Sequence, residues 1–216
     1  YKEPTFFENF ARGIATGNPH LKPERSLSWE VGVERGSVAV TYFNQRFRDL
    51  IEYSTTLVGP DSANYFNVGD AIARGIETSV TQNVGHRVVV ALNYTYLHTR
   101  VEKSGSPSNP NGLFVPGKPL VRRPAHTLAP QVVATLGSRA RLIVGGRWVG
   151  KRDDVGAQRV TLRPYTRVNL SGEYAIGSVV LSGSLENAFN DQAQEINGYR
   201  PRGRTVMVGG RVTVGR

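Results

Sequence analysis

Apolar and polar side chains alternate with a period of two along most of this sequence, and this alternation constrains the fold more than any other feature. A β-strand places successive side chains on opposite faces, so each such segment has one apolar face and one polar face. Helical periodicity is almost absent. Nine alternating segments lie near residues 26–35, 38–51, 70–81, 87–98, 125–136, 140–149, 164–175, 178–187 and 204–215. We therefore predict an all-β chain of about nine or ten strands.

The connections between these segments alternate between short and long. Short turns lie near residues 35–37, 83–86, 137–139 and 176–178. Long loops lie near residues 52–69, 99–124, 150–163 and 188–203. Antiparallel hairpins allow all tight turns to share one rim, whereas parallel crossovers do not. The sequence thus predicts an antiparallel up-and-down meander, and its asymmetry is typical of outer-membrane barrels, which have short turns on one side and long loops on the other.

One parity of the segments is aliphatic, and the charges gather on the other. These charges are Glu30, Glu77, Arg141, Arg147, Arg167, Glu173, Glu186 and Arg211. The aliphatic parity is either the core of a soluble barrel or sandwich, or the lipid-facing surface of a membrane barrel whose charges pair in a wet lumen. Aromatic residues near segment ends resemble an interfacial girdle and favour the membrane interpretation. They are Trp29, Tyr94, Tyr96, Trp148 and Tyr174.

The segment 38–51 fits this scheme less well than the others. Its Phe43 and Phe47 fall on the polar parity, which indicates either a β-bulge or an inner aromatic contact. In segment 70–81, Gly75 either relieves crowding within a strand or permits a bulge.

Composition leaves several kinds of partner open. The 216 residues carry a formal net charge of +10 and contain no cysteine. No run of about 18 apolar residues encodes a transmembrane helix. A basic chain suits nucleic acid, anionic lipid or an anionic ligand, but scattered arginines argue against nucleic acid, which favours a basic patch or stripe. A soluble basic β-rich module that binds nucleic acid or polyanions is the alternative to a membrane barrel.

Short motifs follow one another in an order that resembles a known family. They are residues 1–5 (YKEPT), 17–26 (GNPHLKPERS), 49–51 (DLI), 67–77 (NVGDAIARGIE), 93–97 (NYTYL), 122–126 (RRPAH), 186–191 (ENAFND) and 198–204 (GYRPRGR). Together they resemble the C-terminal barrel part of TonB-dependent outer-membrane receptors of the cobalamin and siderophore type. The prolines fix extended backbone, and the polar corner from Asn187 to Asp191 offers side chains that bond turn backbone.

The resemblance implies that residues 1–216 are the C-terminal segment of a 22-stranded transmembrane β-barrel, with the plug domain and N-terminal strands outside this sequence. It implies the outer membrane of a Gram-negative bacterium and an active-transport receptor for a metal chelate, either a ferric siderophore or a cobalamin-like nutrient. The implied partners are outer-membrane lipid and lipopolysaccharide, the TonB complex through the missing N-terminal part, the barrel assembly machinery and the chelate, with no nucleic acid.

Candidate substrate-binding residues lie in or beside the predicted outer loops, where rings and arginines would contact a ring-bearing anionic chelate. They are Phe6, Phe7, Tyr53, Tyr65, Arg122, Arg123 and Tyr199. The four histidines share no metal-ligand spacing. The acid pair Asp153–Asp154 is expected to be a solvated loop pair rather than a cation site. No catalytic motif is present, so we expect neither an enzyme nor a cofactor.

Overall fold

A computed structural model of the chain describes residues 1–103, 115–155 and 159–214. Residues 104–114 of the predicted loop 99–124, residues 156–158 of the predicted loop 150–163 and the last residue of the predicted segment 204–215 lie outside these ranges. The described residues contain one short helix, α1 (Phe6–Phe10), and no helix among them has the length and apolar character needed to cross a membrane. The strands are β1 (Arg25–Arg35), β2 (Val38–Val58), β3 (Ala63–Val84), β4 (Val88–Lys103), β5 (His126–Leu136), β6 (Ala140–Val149), β7 (Arg152–Val155), β8 (Arg159–Leu162), β9 (Tyr165–Ile176), β10 (Val179–Glu186) and β11 (Thr205–Val212).

Nine of these strands form one antiparallel sheet in the order β1-β2-β3-β4-β5-β6-β9-β10-β11, and β7 and β8 form a separate hairpin. The predicted all-β antiparallel meander is therefore confirmed. Each of its short turns, of two or three residues, contains a glycine in the left-handed region, which lets the hairpin follow the twist of its strands. These glycines are Gly36 (φ 60°), Gly85 (φ 64°), Gly137 (φ 65°) and Gly177 (φ 57°).

The strand register confirms that each parity keeps to one face of the sheet. Aliphatic residues meet aliphatic residues across strand pairs, as with Val33 opposite Val40 and Val132 opposite Val144. We call this side the aliphatic face and the opposite side the polar face. Side chains of the aliphatic face are open, and Val208 is 86% exposed. A contiguous apolar surface of this kind is not left to water, so it needs an apolar medium against it.

The two strands β2 and β3 run about ten residues beyond the length that crosses a bilayer. A transmembrane strand needs about 9–11 residues, whereas β2 has 21 residues and β3 has 22. The predicted loop 52–69 is therefore wrong: the strands continue to Val58 and resume at Ala63. The extra ten or so residues of each strand extend the hairpin by roughly 35 Å. The outer ends of β2 and β3 stay in strand conformation because they pack into a separate hydrophobic core.

That core lies at the long-loop end of the sheet. Its buried members are Val58, Phe66, Val68, Ala71, Val101, Leu120 and Val121. A second, smaller cluster consists of Val149, Tyr165 and Ala193. Ala71, Val101, Val149 and Tyr165 pair in the polar-face parity. The outer segments therefore fold over the polar face, and not over the aliphatic face.

The two inner phenylalanines of β2 are accommodated without a bulge. The register between β1, β2 and β3 is continuous from Val38 to Phe47. Phe43 pairs directly with Gly75, and a Cβ added at Gly75 would meet the Phe43 ring at 2.8 Å and the carbonyl oxygen of Tyr96 at 2.0 Å. The inner aromatic contact is thus the correct interpretation, and it depends on the missing side chain of Gly75.

We expect Gly75→Ala to lower the yield of folded protein, because the added methyl group collides with fixed backbone and overpacking of this kind costs about 1–3 kcal/mol. The measurement is the fraction of the outer-membrane protein that shows heat-modifiable migration on a gel. Gly145→Ala is the matched control, since it lies on the same face and its added Cβ would meet nothing within 4 Å. Equal folded fractions for the two variants would contradict this account of the β2–β3 contact.

Candidate ligand-binding site

The segment before β1 is fastened to the β2–β3 hairpin by side-chain amides. The buried Asn18 donates from Nδ2 to the carbonyl oxygen of Tyr65 at 3.2 Å. Asn67 donates from Nδ2 to the carbonyl oxygen of Lys22 and accepts from its backbone N–H, both at 2.9 Å. These motif residues therefore act on backbone groups, and they bring α1 beside the outer part of the hairpin.

Asp154 joins three outer segments and has no exposed surface. Its carboxylate accepts hydrogen bonds from the guanidinium of Arg122, from the backbone N–H of Val155 at 2.7 Å and from the backbone N–H of Asn197 at 2.6 Å. Burial acts to raise the pKa of Asp154, but these donors outweigh burial and lower the pKa. The expectation of a solvated acid pair is therefore wrong, because Asp154 is the buried anion that positions Arg122.

An outer cavity of about 410 Å³ opens where these segments meet. We call it the outer cavity. Four of the seven candidate substrate-binding residues line it. The full lining is Glu52, Tyr53, Thr55, Val121, Arg122, Arg123, Val155, Ile196, Asn197 and Tyr199. A volume of this size lies in the range of about 300–1,000 Å³ that is usual for small-ligand pockets.

Two further candidates extend the outer cavity as a row of rings. The ring of Tyr53 lies 5.2 Å from that of Tyr65, and the ring of Tyr65 lies 6.1 Å from that of Phe7 in an edge-to-face arrangement. Phe6 does not join the row in the described structure, because it packs 5.1 Å from Phe10 within α1. The geometry therefore brings together six of the seven residues, although their role as ligand contacts stays a prediction.

Glu52 is the acidic group of the outer cavity, and no motif or spacing in the sequence distinguishes it. It lies in the part of β2 beyond the membrane-crossing length. Burial raises its pKa to about 7, while the charge of Arg123 acts in the opposite direction. The cavity therefore becomes more positive as Glu52 takes up a proton.

The eight charges predicted for the lumen all lie on the polar face, as their register positions show. Arg141 lies directly opposite Glu173 in the register, as expected of a lumen pair, whereas within the described strands none of the other six has an oppositely charged member of the set directly opposite it. Within the described part of the chain, no nitrogen–oxygen distance of 4.0 Å or less joins any two of them, and Arg167 instead pairs with Glu195 of the segment after β10. Glu77, for example, has the uncharged Thr41 and Thr95 as its cross-strand neighbours.

The five girdle aromatics lie on the aliphatic face. Trp29 packs against Tyr42 with ring centroids 5.4 Å apart. Tyr94 hydrogen-bonds His126 through its hydroxyl at 2.8 Å, and Tyr96 packs 5.2 Å from the same imidazole. Trp148 is 37% exposed and Tyr174 is 48% exposed. Their position at the membrane interface stays a prediction.

No candidate metal centre emerges in residues 1–103, 115–155 and 159–214, where no group of three or more His, Cys, Asp or Glu side chains comes together. The outer cavity and the row of rings beside it offer ring faces and guanidinium groups for a ligand. Such a surface suits an anionic molecule that carries rings.

A strongly exposed aliphatic face, glycine hairpins at one rim and long ordered segments at the other are the features of an outer-membrane β-barrel wall. The family model for the TonB dependent receptor-like beta-barrel matches residues 1–188. This chain belongs to that family. Its members are receptors of the Gram-negative outer membrane and not enzymes, which confirms the expected location and the expected absence of enzymatic activity.

Curated relatives are iron-linked outer-membrane proteins. The chain is 26% identical to the iron-regulated outer membrane virulence protein of Vibrio cholerae, over 91% of this chain and 32% of the relative. It is 28% identical to the ferrienterobactin receptor of Escherichia coli K12, over 81% of this chain and 24% of the relative. The chain thus spans about a quarter to a third of the length of these relatives.

Solved structures share the fold. The ferric enterobactin receptor PfeA of Pseudomonas aeruginosa superposes with a TM-score of 0.64 at 22% identity, over 90% of this chain and 32% of that chain. The pyoverdine receptor FpvA of the same organism gives a TM-score of 0.67 at 18% identity, over 90% of this chain and 30% of that chain. At these identities the likeness establishes the architecture of the wall.

We expect Asp154→Asn to loosen the outer segments, because the amide is a weaker acceptor for Arg122 and for the two backbone N–H groups. A loss of charge-assisted hydrogen bonds of this kind weakens the local structure by about 1.5–3 kcal/mol. The lowered pKa of Asp154 stabilises the ionised, folded arrangement above the pKa of the unfolded chain, and this stabilisation disappears as the pH falls through the folded value. The wild-type segments should therefore loosen in acid.

Limited proteolysis of intact protein in detergent micelles measures this loosening as a cleavage rate in the outer segments. Asp61→Asn is the control, since Asp61 bonds only the exposed His20 in the described structure. Asp154→Asn should be cleaved faster than wild type at neutral pH. It should also lose most of the wild-type dependence on pH. Indistinguishable cleavage of all three proteins would show that Asp154 does not hold the segments.

Proposed function

We propose that this chain forms part of the wall and outer ligand-binding surface of a receptor that imports an iron(III) chelate across the outer membrane. The observation that carries the proposal is the outer cavity, which sets Arg122 and Arg123 beside Tyr53 and Tyr199. Guanidinium groups bind oxyanions, and ring faces stack on ring-bearing ligands. A ferric siderophore with ring-bearing, negatively charged metal ligands matches both features.

Arg123 is the cation best placed to meet such a ligand. Arg122 is bound to Asp154, Arg159 to Asp153, and Arg163 to Asp191. Arg123 forms no ion pair of 4.0 Å or less with the described residues, and its guanidinium contacts the backbone oxygen of Arg122 at 3.4 Å. It can therefore turn to a ligand without losing a carboxylate partner.

The names of the relatives support the iron chelate over the cobalamin-like nutrient, since they include receptors for ferrienterobactin and pyoverdine. Energisation by TonB, with a plug domain that opens when pulled, belongs to the proposal and follows from the family. Contacts with lipid, lipopolysaccharide and the barrel assembly machinery also belong to the proposal. Family membership gives no support to the alternative of a soluble module for nucleic acid or polyanions.

Binding and uptake of iron-55 chelates by cells that express the intact protein test the proposal. A tris-catecholate chelate should bind and enter, a neutral hydroxamate chelate should bind more weakly, and cyanocobalamin should not compete. Arg123→Gln combined with Tyr199→Ala should weaken binding of the tris-catecholate at least tenfold. Arg139→Gln is the control, because it removes an arginine at a short turn on the opposite rim. If neither iron chelate binds to cells, the proposal fails.

Binding of an anionic ligand should depend on pH, because Glu52 lines the outer cavity. Since Glu52 ionises near pH 7, its negative charge appears between pH 6 and pH 8 and opposes an anionic ligand. Wild-type affinity should therefore fall across this interval by roughly fivefold, which corresponds to about 1 kcal/mol for a partly screened charge in the cavity.

Glu52→Gln should remove most of this dependence and should bind the chelate as tightly at pH 8 as wild type does at pH 6. Glu102→Gln is the control, because Glu102 pairs with Arg100 and does not line the outer cavity. Equilibrium binding of the chelate to outer-membrane vesicles gives the affinities. A pH profile that is the same in wild type and Glu52→Gln would assign the effect to the chelate itself.

A further inference from the structure

Three arginines surround one buried tyrosine at the inner end of the outer segments. Tyr165 is 5% exposed. The guanidinium carbons of Arg152 and Arg167 lie 5.1 Å and 5.0 Å from its ring centroid. Arg147 lies directly opposite Arg167 in the β6–β9 register and is exposed on the polar face. We call Arg147, Arg152 and Arg167 the inner arginine cluster.

Like charges directly opposite one another in a sheet are destabilising, so the Arg147–Arg167 pair calls for an anion. The charged groups that act on Tyr165 are Glu195 and the three arginines. Three cations therefore face one carboxylate, and Glu195 is itself half exposed. The cluster keeps a surplus of positive charge at a place where two of its guanidinium groups are largely removed from water.

The hydrogen-bonding groups of the cluster are also incompletely used. Arg152 is 7% exposed, and its Nη2 donates to the carbonyl oxygens of Gln194 and Glu195 at 2.7 Å and 2.9 Å. Its Nη1 is buried and has no partner among the described residues, and the same holds for Nε and Nη2 of Arg167. Buried donors without partners are uncommon and require an explanation.

The two free nitrogens of Arg167 are the ones that share an edge of the guanidinium plane. Nη1 of Arg167 bonds Glu195, and this leaves the edge formed by Nε and Nη2. That edge presents two parallel N–H groups, which match the two oxygens of a carboxylate or a phosphate. The unused donors thus have the geometry of an oxyanion site and not of a random defect.

A second cavity lies beside the buried Arg152 of the cluster. It has a volume of about 320 Å³, and Arg152 and Lys151 contribute to its lining. Arg123 lines both this cavity and the outer cavity. Cationic side chains therefore extend from the outer cavity to Arg152.

We propose that the inner arginine cluster binds an oxyanion group of a small ligand, either a carboxylate or a phosphate. The incoming oxyanion takes the Nε–Nη2 edge of Arg167 and competes with the half-exposed carboxylate of Glu195 for the cluster. The binding of an oxyanion by the cluster does not depend on the proposed function.

Isothermal titration calorimetry on the intact protein in detergent micelles tests the cluster, with inorganic phosphate and citrate as separate probes at constant ionic strength. The titrations use an Arg123→Gln background, so that the outer cavity contributes little. In that background Arg167→Gln should weaken binding of the preferred probe at least fivefold, and Glu195→Gln should strengthen it about threefold because the competing carboxylate is gone. Arg167→Lys keeps the charge without the paired N–H edge and should bind with intermediate affinity.

Arg139→Gln removes the same charge at a short turn and should leave binding unchanged. All variants should first show wild-type heat-modifiable migration. If neither probe binds, or if Arg167→Gln and Glu195→Gln change affinity in the same direction, the inner site does not exist. If the probes respond as expected while no iron chelate binds to cells, the inner site stands and the proposed function fails.

Discussion

The aliphatic face of the nine-stranded sheet is the constraint on which the rest of the molecule depends. Burial of apolar surface contributes roughly 25 cal/mol per Å², and side chains such as Leu27, Val33 and Val208 are more than two-thirds exposed in the isolated chain. Only an apolar medium on that side makes the sheet stable. The same requirement sends charges to the opposite parity and confines irregular backbone to the rims, where water or other segments satisfy its polar groups.

Order at the long-loop rim has a different physical origin. There the apolar core is small, and buried polar side chains hold the segments through backbone groups. Asn18 and Asn67 fasten the first segment, Asp154 joins three others, and Asn187 bonds the carbonyl oxygens of Asp191 and Arg202 at 3.1 Å and 3.3 Å. Each such bond is worth about 1 kcal/mol in net terms. Several of them acting on the same short segments give a defined surface without a large hydrophobic core.

The sequence was sufficient to predict the wall because the wall obeys one simple period. Alternation set the faces of the sheet, and the short turns set its connectivity. The outer segments follow no such rule, and therefore the extension of β2 and β3 was missed: residues 52–58 are mostly polar and do not alternate regularly, and the polar Ser54 is buried while Leu57 is exposed. Asp154 resembles any loop acid in the sequence. Its burial depends on Arg122 and Asn197, which are distant along the chain, so only the folded structure reveals it.

Candidate site residues show the same division. Tyr53, Arg122, Arg123 and Tyr199 were found from residue type and loop position, and the structure places them around one cavity. Glu52 and the buried Arg152 were not selected as site residues, since a strand-end carboxylate and a loop arginine carry no distinctive pattern. The predicted lumen charges divide in the same way, because parity specifies a face and does not specify which side chain on the next strand lies opposite: Arg141 lies opposite Glu173, whereas Glu77 lies opposite Thr41 and Thr95.

The extended β2–β3 hairpin has a consequence for the thermodynamics of recognition. A flexible loop loses conformational entropy when it closes on a ligand, and this loss subtracts from affinity. Here Tyr53 and Tyr65 lie directly opposite each other at the end of the paired run from Leu50 to Tyr53, so their backbone is already ordered before any ligand arrives. A ligand that stacks on these rings meets a preorganised platform, and selectivity at this edge of the surface then follows from shape and ring chemistry.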